Sequence, residues 1–557
     1  CLPPRLPCRN LSKEKKMVEN TEYLLPVKIH LIDGCAENTE SLLKSKTRQI
    51  GLGENDVATI RGKTRIVFDF GKEIQGGVRL LTHYIENGSP VRIRFGESFT
   101  ESLAPLGVKN ATNDHSLRDF SVSLPQLSDG CYGQTGFRFV CLEFGGGTYR
   151  LKNVYAKSVT EKREIAGSFR CSDERLNEIY SVAQRTLLLC LQGGMIWDGI
   201  KRDRLVWIGD LHPETLGVLY TTADAENVAN CIDFGAEETP PTDWMNGHTA
   251  YSFWWILALY DYHRFTGDNA KVGLYIDYLA KLIGNTNKFV SENGETDFPN
   301  YFLDWPTSGT ADAVIGCNAL LKIAAEKGGE LLRFFGKDDF AAMEIVRKLA
   351  SANNAEPVAK QAVAMNYLAG NEDKKIASEK LAAGGAKGLS TFMSYYVLTA
   401  AKRCCGAETA VKMLKDYYGG MLDKGATSFW EDFDVEWIKD SGRIDDLPED
   451  GQKDIHGDYG KFCYTGFRHS LCHGWSCGPI AFLTETVLGV HVSDGGKKIT
   501  VEPSLCGLEF ADGSIPTPYG KAEIRVRRAG SETEVEITAP KEVEIVANAC
   551  KLTRKSV

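Results

Sequence analysis

Ser168-Phe169-Arg170-Cys171-Ser172-Asp173-Glu174-Arg175-Leu176-Asn177 is where the chain changes its period. Ser172 stands where a helix cap belongs, with acids in the turn that follows. Leu176, Ile179, Tyr180 and Val182 then recur at helical spacing, on to Leu187, Leu188 and Leu191. Upstream the pattern is β. Thr64–Phe70, Val91–Gly96 and Phe137–Phe144 are short apolar-alternating runs, the last ending at Gly145-Gly146-Gly147. Such runs separated by Gly, Asn, Pro and Ser predict an antiparallel sandwich. Downstream, helical patterns recur near 213–223, 250–265, 270–287, 311–327, 338–352, 356–369, 373–384, 389–404, 408–418 and 470–488. Paired helices in one long domain predict an α/α toroid, and the lack of a fixed repeat argues against a solenoid. After Val490, Lys498–Val501, Ala522–Val526 and Glu534–Ile537 return to β, with 514–520 as a turn-rich link. The expected division is a leader over 1–20, a β-sandwich over 21–166, a helical domain over 167–489 and a small β-sandwich over 490–557.

Composition narrows the function. A net charge of −9 over 557 residues speaks against a nucleic-acid binder, which would carry a basic face. No apolar run reaches the roughly eighteen residues a membrane span needs. The sixteen cysteines are scattered singly apart from Cys404-Cys405, with no CxxC pair. That placement fits free thiols in a reducing, cytoplasmic compartment better than a disulfide scaffold or zinc ribbon. Residues 1–16 are basic and contain proline, and they lack a signal-peptide core. A periplasmic or lipid-anchored protein with a processed Cys1 is the alternative.

The densest chemistry lies in Trp197-Asp198-Gly199-Ile200-Lys201-Arg202-Asp203-Arg204-Leu205-Val206-Trp207-Ile208-Gly209-Asp210. Its acids do not share helical spacing and glycines interrupt it, so it reads as a loop whose cations partly neutralise its acids. Further acid–aromatic segments are Asp243-Trp244, Asp304-Trp305, Trp430-Glu431 and His469 through Trp475. All nine tryptophans fall in the helical region; Trp254 and Trp255 read as core, the other seven as a cleft wall. Two carboxylates flanking a bond are the usual machinery of glycoside hydrolysis, and aromatic faces suit sugar rings. HxxxH at His469 and His473, expected to open the last helix, lacks the glutamate of HExxH, so no metal is expected. No GxSxG elbow, phosphate loop or dinucleotide fingerprint is present, and no cofactor is expected.

At these residues the chain resembles the α-L-rhamnosidases of glycoside hydrolase family 78. Asp69-Phe70-Gly71-Lys72-Glu73-Ile74-Gln75-Gly76 is similar to the family's D-F-G-x-x-x-x-G segment. Asp198 through Asp210 keeps the spacing of its D-C-P-Q-R-E-R-L-G-W-T-G-D signature, and Gly425-Ala426-Thr427-Ser428-Phe429-Trp430-Glu431 resembles its G-A-T-T-x-W-E. The resemblance implies an (α/α)6 six-hairpin barrel flanked by N-terminal and C-terminal antiparallel β-sandwich domains. It implies Asp203 as general acid and Glu431 as general base, with Asp198 and Asp210 on sugar hydroxyls. Asp304, Trp305 and His473 fall at further substrate-contacting positions. Arg202, Trp207, Trp244, Trp430 and Trp475 complete the expected binding set.

The chain departs from the pattern at Asp203, where the family has the longer Glu, and at Gly199-Ile200-Lys201 and Val206. The implied activity is an inverting exo-glycosidase acting on terminal α-L-rhamnosyl or similar deoxysugar linkages. The alternatives are a catalytically impaired carbohydrate-binding protein on the same scaffold, or a hydrolase or lyase for another sugar. For Asp203 to hold a proton, Arg202 and Arg204 are expected to pair with Asp198 and Asp210 instead.

Overall fold

The computed structural model describes residues 19–45, 52–53, 56–351, 355–530, 532–548 and 550–556. Residues 1–18, with Cys1 and most of the expected leader, lie outside the described residues. Glu19 and Asn20, assigned to the leader in the sequence, open the strand Glu19–Leu24, which pairs antiparallel with Thr148–Glu161.

The N-terminal part is a seven-stranded sheet built around Ala58–Glu86. That strand pairs with Lys28–Glu37, Asp129–Phe144 and Thr148–Glu161, and its register breaks between Asp69 and Ile74. The break is a turn: Gly71 takes φ 77° and donates its N–H to Asp69 Oδ1 at 2.7 Å. Asp69 also receives Arg138 through Nε at 2.9 Å and Nη2 at 3.0 Å, a bidentate pair inside the protein. The turn thereby faces the helical part, where Glu73 N donates to Thr427 Oγ1 at 2.8 Å and Arg138 Nη1 to Gly425 O at 3.3 Å. This sheet has its own apolar core around Phe68, Phe70, Ile93 and Phe137.

The helical part begins at Glu174–Cys190. Its cap is Asp173, not Ser172: Asp173 Oδ1 accepts from the amides of Arg175 and Leu176, while Ser172 Oγ accepts from Glu509 N at 2.9 Å. Six helices pack in a closed circuit, namely Leu211–Thr221, Thr249–Thr266, Ala311–Phe334, Lys360–Leu368, Ser394–Cys405 and Pro479–Thr486. Each touches the next and the last returns to the first. Every residue of Leu211–Thr221 is buried, and Trp254 and Trp255 are fully enclosed, as core positions require. Glu174–Cys190, Glu226–Glu238, Ile276–Asn287, Phe340–Ala350, Lys374–Ala382 and Ala407–Asp423 pack around them.

The sequence reading omits Glu226–Glu238, whose acidic ends and short apolar stripe mask its period. It also extends the last helix too far back. Residues 469–473 are not helical, and only Pro479–Thr486 forms the helix, after a short 3-10 turn at Gly474–Cys477.

The C-terminal part has two sheets. One joins Val490–Ser493, Lys498–Val501 and Glu544–Ala547. The other orders Lys551–Ser556, Glu532–Ala539, Gly520–Ala529, Phe510–Thr517 and Ser168–Cys171. Residues 514–517, expected as part of a link, are therefore strand. Ser168–Cys171 precedes the first helix yet pairs antiparallel with Ala511–Ser514, so the chain contributes to the C-terminal sheet before it enters the helices. One apolar core runs continuously from Phe169 through the helices to Val543. The architecture is thus multidomain, helical and β-sandwich.

Candidate active site

The charged stretch is a loop between a short hairpin at 191–196 and the helix Leu211–Thr221. Asp198 closes it on itself: its N–H donates to Leu205 O and its Oδ1 accepts from Leu205 N, both at 3.0 Å. Gly209 is required, because a Cβ there would meet the ring of buried Tyr251 at 2.3 Å. Across from it runs the segment 425–432, held at both edges. Phe429 N donates to Thr186 Oγ1 at 2.8 Å, Ser428 Oγ to Leu471 O at 2.7 Å, and His473 N to Phe429 O at 3.0 Å.

Arg202 joins the two segments. Its Nη1 donates to Asp203 Oδ1 at 2.9 Å and its Nη2 to Glu431 Oε1, so the two acids stand one guanidinium apart. Tyr464 lies under the same guanidinium, 5.0 Å from ring centroid to Cζ. Glu431 Oε2 accepts from Ser470 N at 3.1 Å, and Glu431 Oε1 lies 3.5 Å from His473 Nδ1. His473 Nε2 reaches Asp210 Oδ2 at 3.2 Å.

The electrostatics divide the acids. Burial alone would raise the Glu431 carboxyl, but the Arg202 guanidinium and the His473 imidazole hold it below its ordinary value. Burial would depress His473, yet Glu431, Asp210 and Asp198 push it up to about 9. Burial pushes Asp198 well above the carboxylate range against the pull of His473, and raises Asp210 as well. Carboxyls of one site are thus shifted in opposite directions, the pattern that acid–base sites use.

A narrow cleft opens beside Glu431. Asp304, Trp305, Tyr464 and Trp475 line it, with Ser390, Thr391, Phe392 and Asp432. Asp304 receives the Ser390 hydroxyl and the Trp305 amide, and burial pushes its carboxyl up to about 7. Asp432 is pushed up to about 6 by burial and by Glu431, and its Oδ2 has no hydrogen-bond partner. Trp475 stacks on Phe392 with centroids 5.1 Å apart, and Trp305 donates from Nε1 to Tyr464 OH at 2.7 Å.

Of the residues singled out in the sequence, Arg202, Asp203, Asp210, Glu431 and His473 form one connected polar group beside Asp198, while Asp304, Trp305 and Trp475 line the adjoining cleft. Of the seven tryptophans expected as a cleft wall, only Trp305 and Trp475 line it, and two of the remainder are core. Trp244 packs against Phe253, Phe289 and Phe298, and Trp430 is buried against Phe433. Apolar neighbours fill their faces, so both act as core. Trp207 is half-buried against Tyr251.

The expected charge pairing is also corrected. Arg202 takes Asp203 and Glu431, not Asp198 or Asp210. Arg204 lies over Trp197 at 4.7 Å and donates to Gln134 O at 3.3 Å. Lys201 turns away altogether, 2.9 Å from Glu97 and 3.3 Å from Glu101. Sequence distance hides these partners, because Glu97 and Glu101 lie in the N-terminal part. The same two acids with His456 are the one grouping of metal-type ligands among the described residues. The Lys201 ammonium already serves both carboxylates, and His456 is engaged through Nδ1 with Ser98 Oγ at 2.7 Å and through Nε2 with His469 O at 2.9 Å. Those donors suit an internal ion pair. Ser390 and Tyr464 carried no sequence signal; Asp432 did, standing next to Glu431.

The acid-rich loop thus sits at the junction of the helical ring and the N-terminal β-sheet, beside an aromatic cleft. Residues 489–548 match the family model described as the bacterial alpha-L-rhamnosidase C-terminal domain. The fold is similar to the GH78 family rhamnosidase of Bacillus sp. GL1, at 20% identity and TM-score 0.73, over 93% of this chain and 57% of that one. It is similar to a rhamnosidase from Klebsiella oxytoca with rhamnose bound, at 19% identity and TM-score 0.65, over 84% of this chain and 96% of that one. The Streptomyces avermitilis alpha-L-rhamnosidase complexed with L-rhamnose is matched at 14% identity and TM-score 0.65, over 93% of this chain and 49% of that one. The chain thus spans just over half the length of the Bacillus structure. No curated protein matches the sequence. The chain shares its fold with these rhamnosidases.

Proposed function

We propose that the protein is a glycoside hydrolase that releases terminal α-L-rhamnosyl or similar deoxysugar residues with inversion. The observation that carries this reading is the bridge from Asp203 through Arg202 to Glu431 at the edge of an aromatic cleft. Asp203 protonates the glycosidic oxygen as the C–O bond breaks, and ionised Glu431 takes a proton from the attacking water. Asp198, Asp210, Asp304 and His473 meet the sugar hydroxyls; Trp305 and Trp475 meet its apolar face. The closed circuit of helices supports an (α/α)6 barrel, which we assign to 167–489 between sandwiches at 21–166 and 490–557, with Ser168–Cys171 lent to the latter. The partner is a glycoside, and a cytoplasmic site belongs to the same proposal. No helix among the described residues is long and apolar enough to cross a membrane.

The test is hydrolysis of an aryl α-L-rhamnoside by the wild type and by Asp203→Asn and Glu431→Gln, each expected to lose about 10²–10⁴-fold in kcat. Near-wild-type turnover removes the residue from its role. Proton NMR of the first-formed anomer decides inversion, and net retention overturns it.

One observation favours a second reading, a carbohydrate-binding protein without turnover: Asp203 is not among the residues lining the cleft. Binding of rhamnose without cleavage of the aryl glycoside at high enzyme concentration would establish it.

A further inference from the structure

Three consecutive residues of the N-terminal part, Asp114, His115 and Ser116, each touch a segment of the site. Asp114 Oδ2 lies 3.4 Å from Arg468 Nη1 and Ser116 Oγ donates to Lys201 O at 2.7 Å. His115, held between these anchors, reaches Asp203. The Asp203 amide donates to His115 Nδ1 at 2.8 Å, and Asp203 Oδ1 lies 3.0 Å from the same nitrogen.

The backbone shows why such support is needed. Asp203 and Arg204 both take left-handed conformations, φ 57° and 58°, as does His115 at φ 65°. Two successive non-glycine residues in that region are strained, and arginine gains nothing locally to offset it. The strained turn aims the Asp203 carboxyl, and its amide takes the imidazole as its partner within the protein. Because Nδ1 accepts the amide proton it carries none itself, so its 3.0 Å approach to Oδ1 is attractive when the proton sits on the carboxyl. The charged groups around this pair are Arg202 on Asp203 itself, Arg204 beyond it, and the Asp114–Arg468 pair on the flank.

We propose that His115, from the β-sheet part of the chain, is the positioning residue for Asp203. It holds the strained turn through the amide and keeps the carboxyl, one methylene shorter than glutamate, directed at the leaving oxygen. This rests on the reading of Asp203 as general acid.

Asparagine tolerates left-handed backbone and places its Oδ1 near the position of the histidine Nδ1. His115→Ala should therefore lower kcat on an aryl α-L-rhamnoside by about 10²-fold, as loss of orientation does, with KM within about twofold. His115→Asn should restore most of kcat. Unchanged kcat in the alanine variant, or equal loss in both variants, overturns the proposal. The ¹⁵N resonance of His115 Nδ1 reads the contact without turnover, and should move in Asp203→Ala. If the wild type cleaves no rhamnoside, the hydrolase reading fails and this resonance alone judges the contact; a resonance indifferent to Asp203→Ala overturns it.

Discussion

His473 Nε2 lies 3.2 Å from Asp210 Oδ2, joining two segments that are 263 residues apart in the chain. With Glu431 on the other ring nitrogen at 3.5 Å, the imidazole ties three parts of the site into one charge group. Because Glu431, Asp210 and Asp198 raise His473 from 6.5 to about 9 against burial, its contribution to stability is complete below about pH 6.5 and lost as pH rises through about 9. The span corresponds to roughly 3 kcal/mol. Urea unfolding of the wild type and of His473→Gln should show a stability gap that narrows between pH 6.5 and 9.5. A gap constant over that window would show that the imidazole carries no charge there.

Asp304 gives a second pH dependence of the same sign. Its folded value near 7, raised by burial from 3.8, means that a favourable term present below about pH 3.8 disappears as pH rises through 7. Asp304→Asn removes the ionising group, and its amide oxygen can still accept from the Trp305 N–H. The variant should gain on the wild type with rising pH, by up to roughly 4 kcal/mol at pH 8. Tm measured from pH 4 to 8 checks this; parallel curves for the two proteins would refute it.

Lys201 faces Glu97 and Glu101 with all three groups buried. Lys201→Met leaves two acids without their cation and should cost about 3–5 kcal/mol. Adding Glu101→Gln to that variant should recover part of the loss, because one uncompensated charge is gone. Equilibrium denaturation of the single and double variants decides it, and full stability of Lys201→Met would place the charge elsewhere.

Gly209→Ala drives a methyl into the Tyr251 ring, 2.3 Å away before any relaxation. The ring is enclosed and cannot retreat, so a loss of about 1–3 kcal/mol is expected, as in other overpacked cores. Since Asp210 is the next residue, rhamnose affinity should fall as well. A calorimetric Kd equal to that of the wild type would show that the loop adjusts without moving Asp210.

Much of the architecture was legible because periodicity is a local property. The change at Ser172–Leu191 separates β from α, and the strand Lys498–Val501 coincides with its alternating run. Failures occurred where local pattern and tertiary role part. Residues 514–517 read as part of a turn-rich link because Pro516 interrupts them, yet they belong to the strand Phe510–Thr517, which runs between Gly520–Ala529 and Ser168–Cys171. Trp244 and Trp430 sit beside polar loop residues but point into core.

By itself the sequence determined which chemistries are affordable: acids, aromatics and a shortened acid at 203, framed by glycines that hold a loop open. Which cation meets which acid was decided only in three dimensions. Arg202 could have paired with Asp198 four residues before it, but Asp198 is spent on the loop that it closes, and the guanidinium turns to Asp203 and Glu431. Glu97 and Glu101 enter from the N-terminal part for the same reason: a buried charge needs a partner within a few ångströms, and the folded chain supplies it without regard to sequence distance.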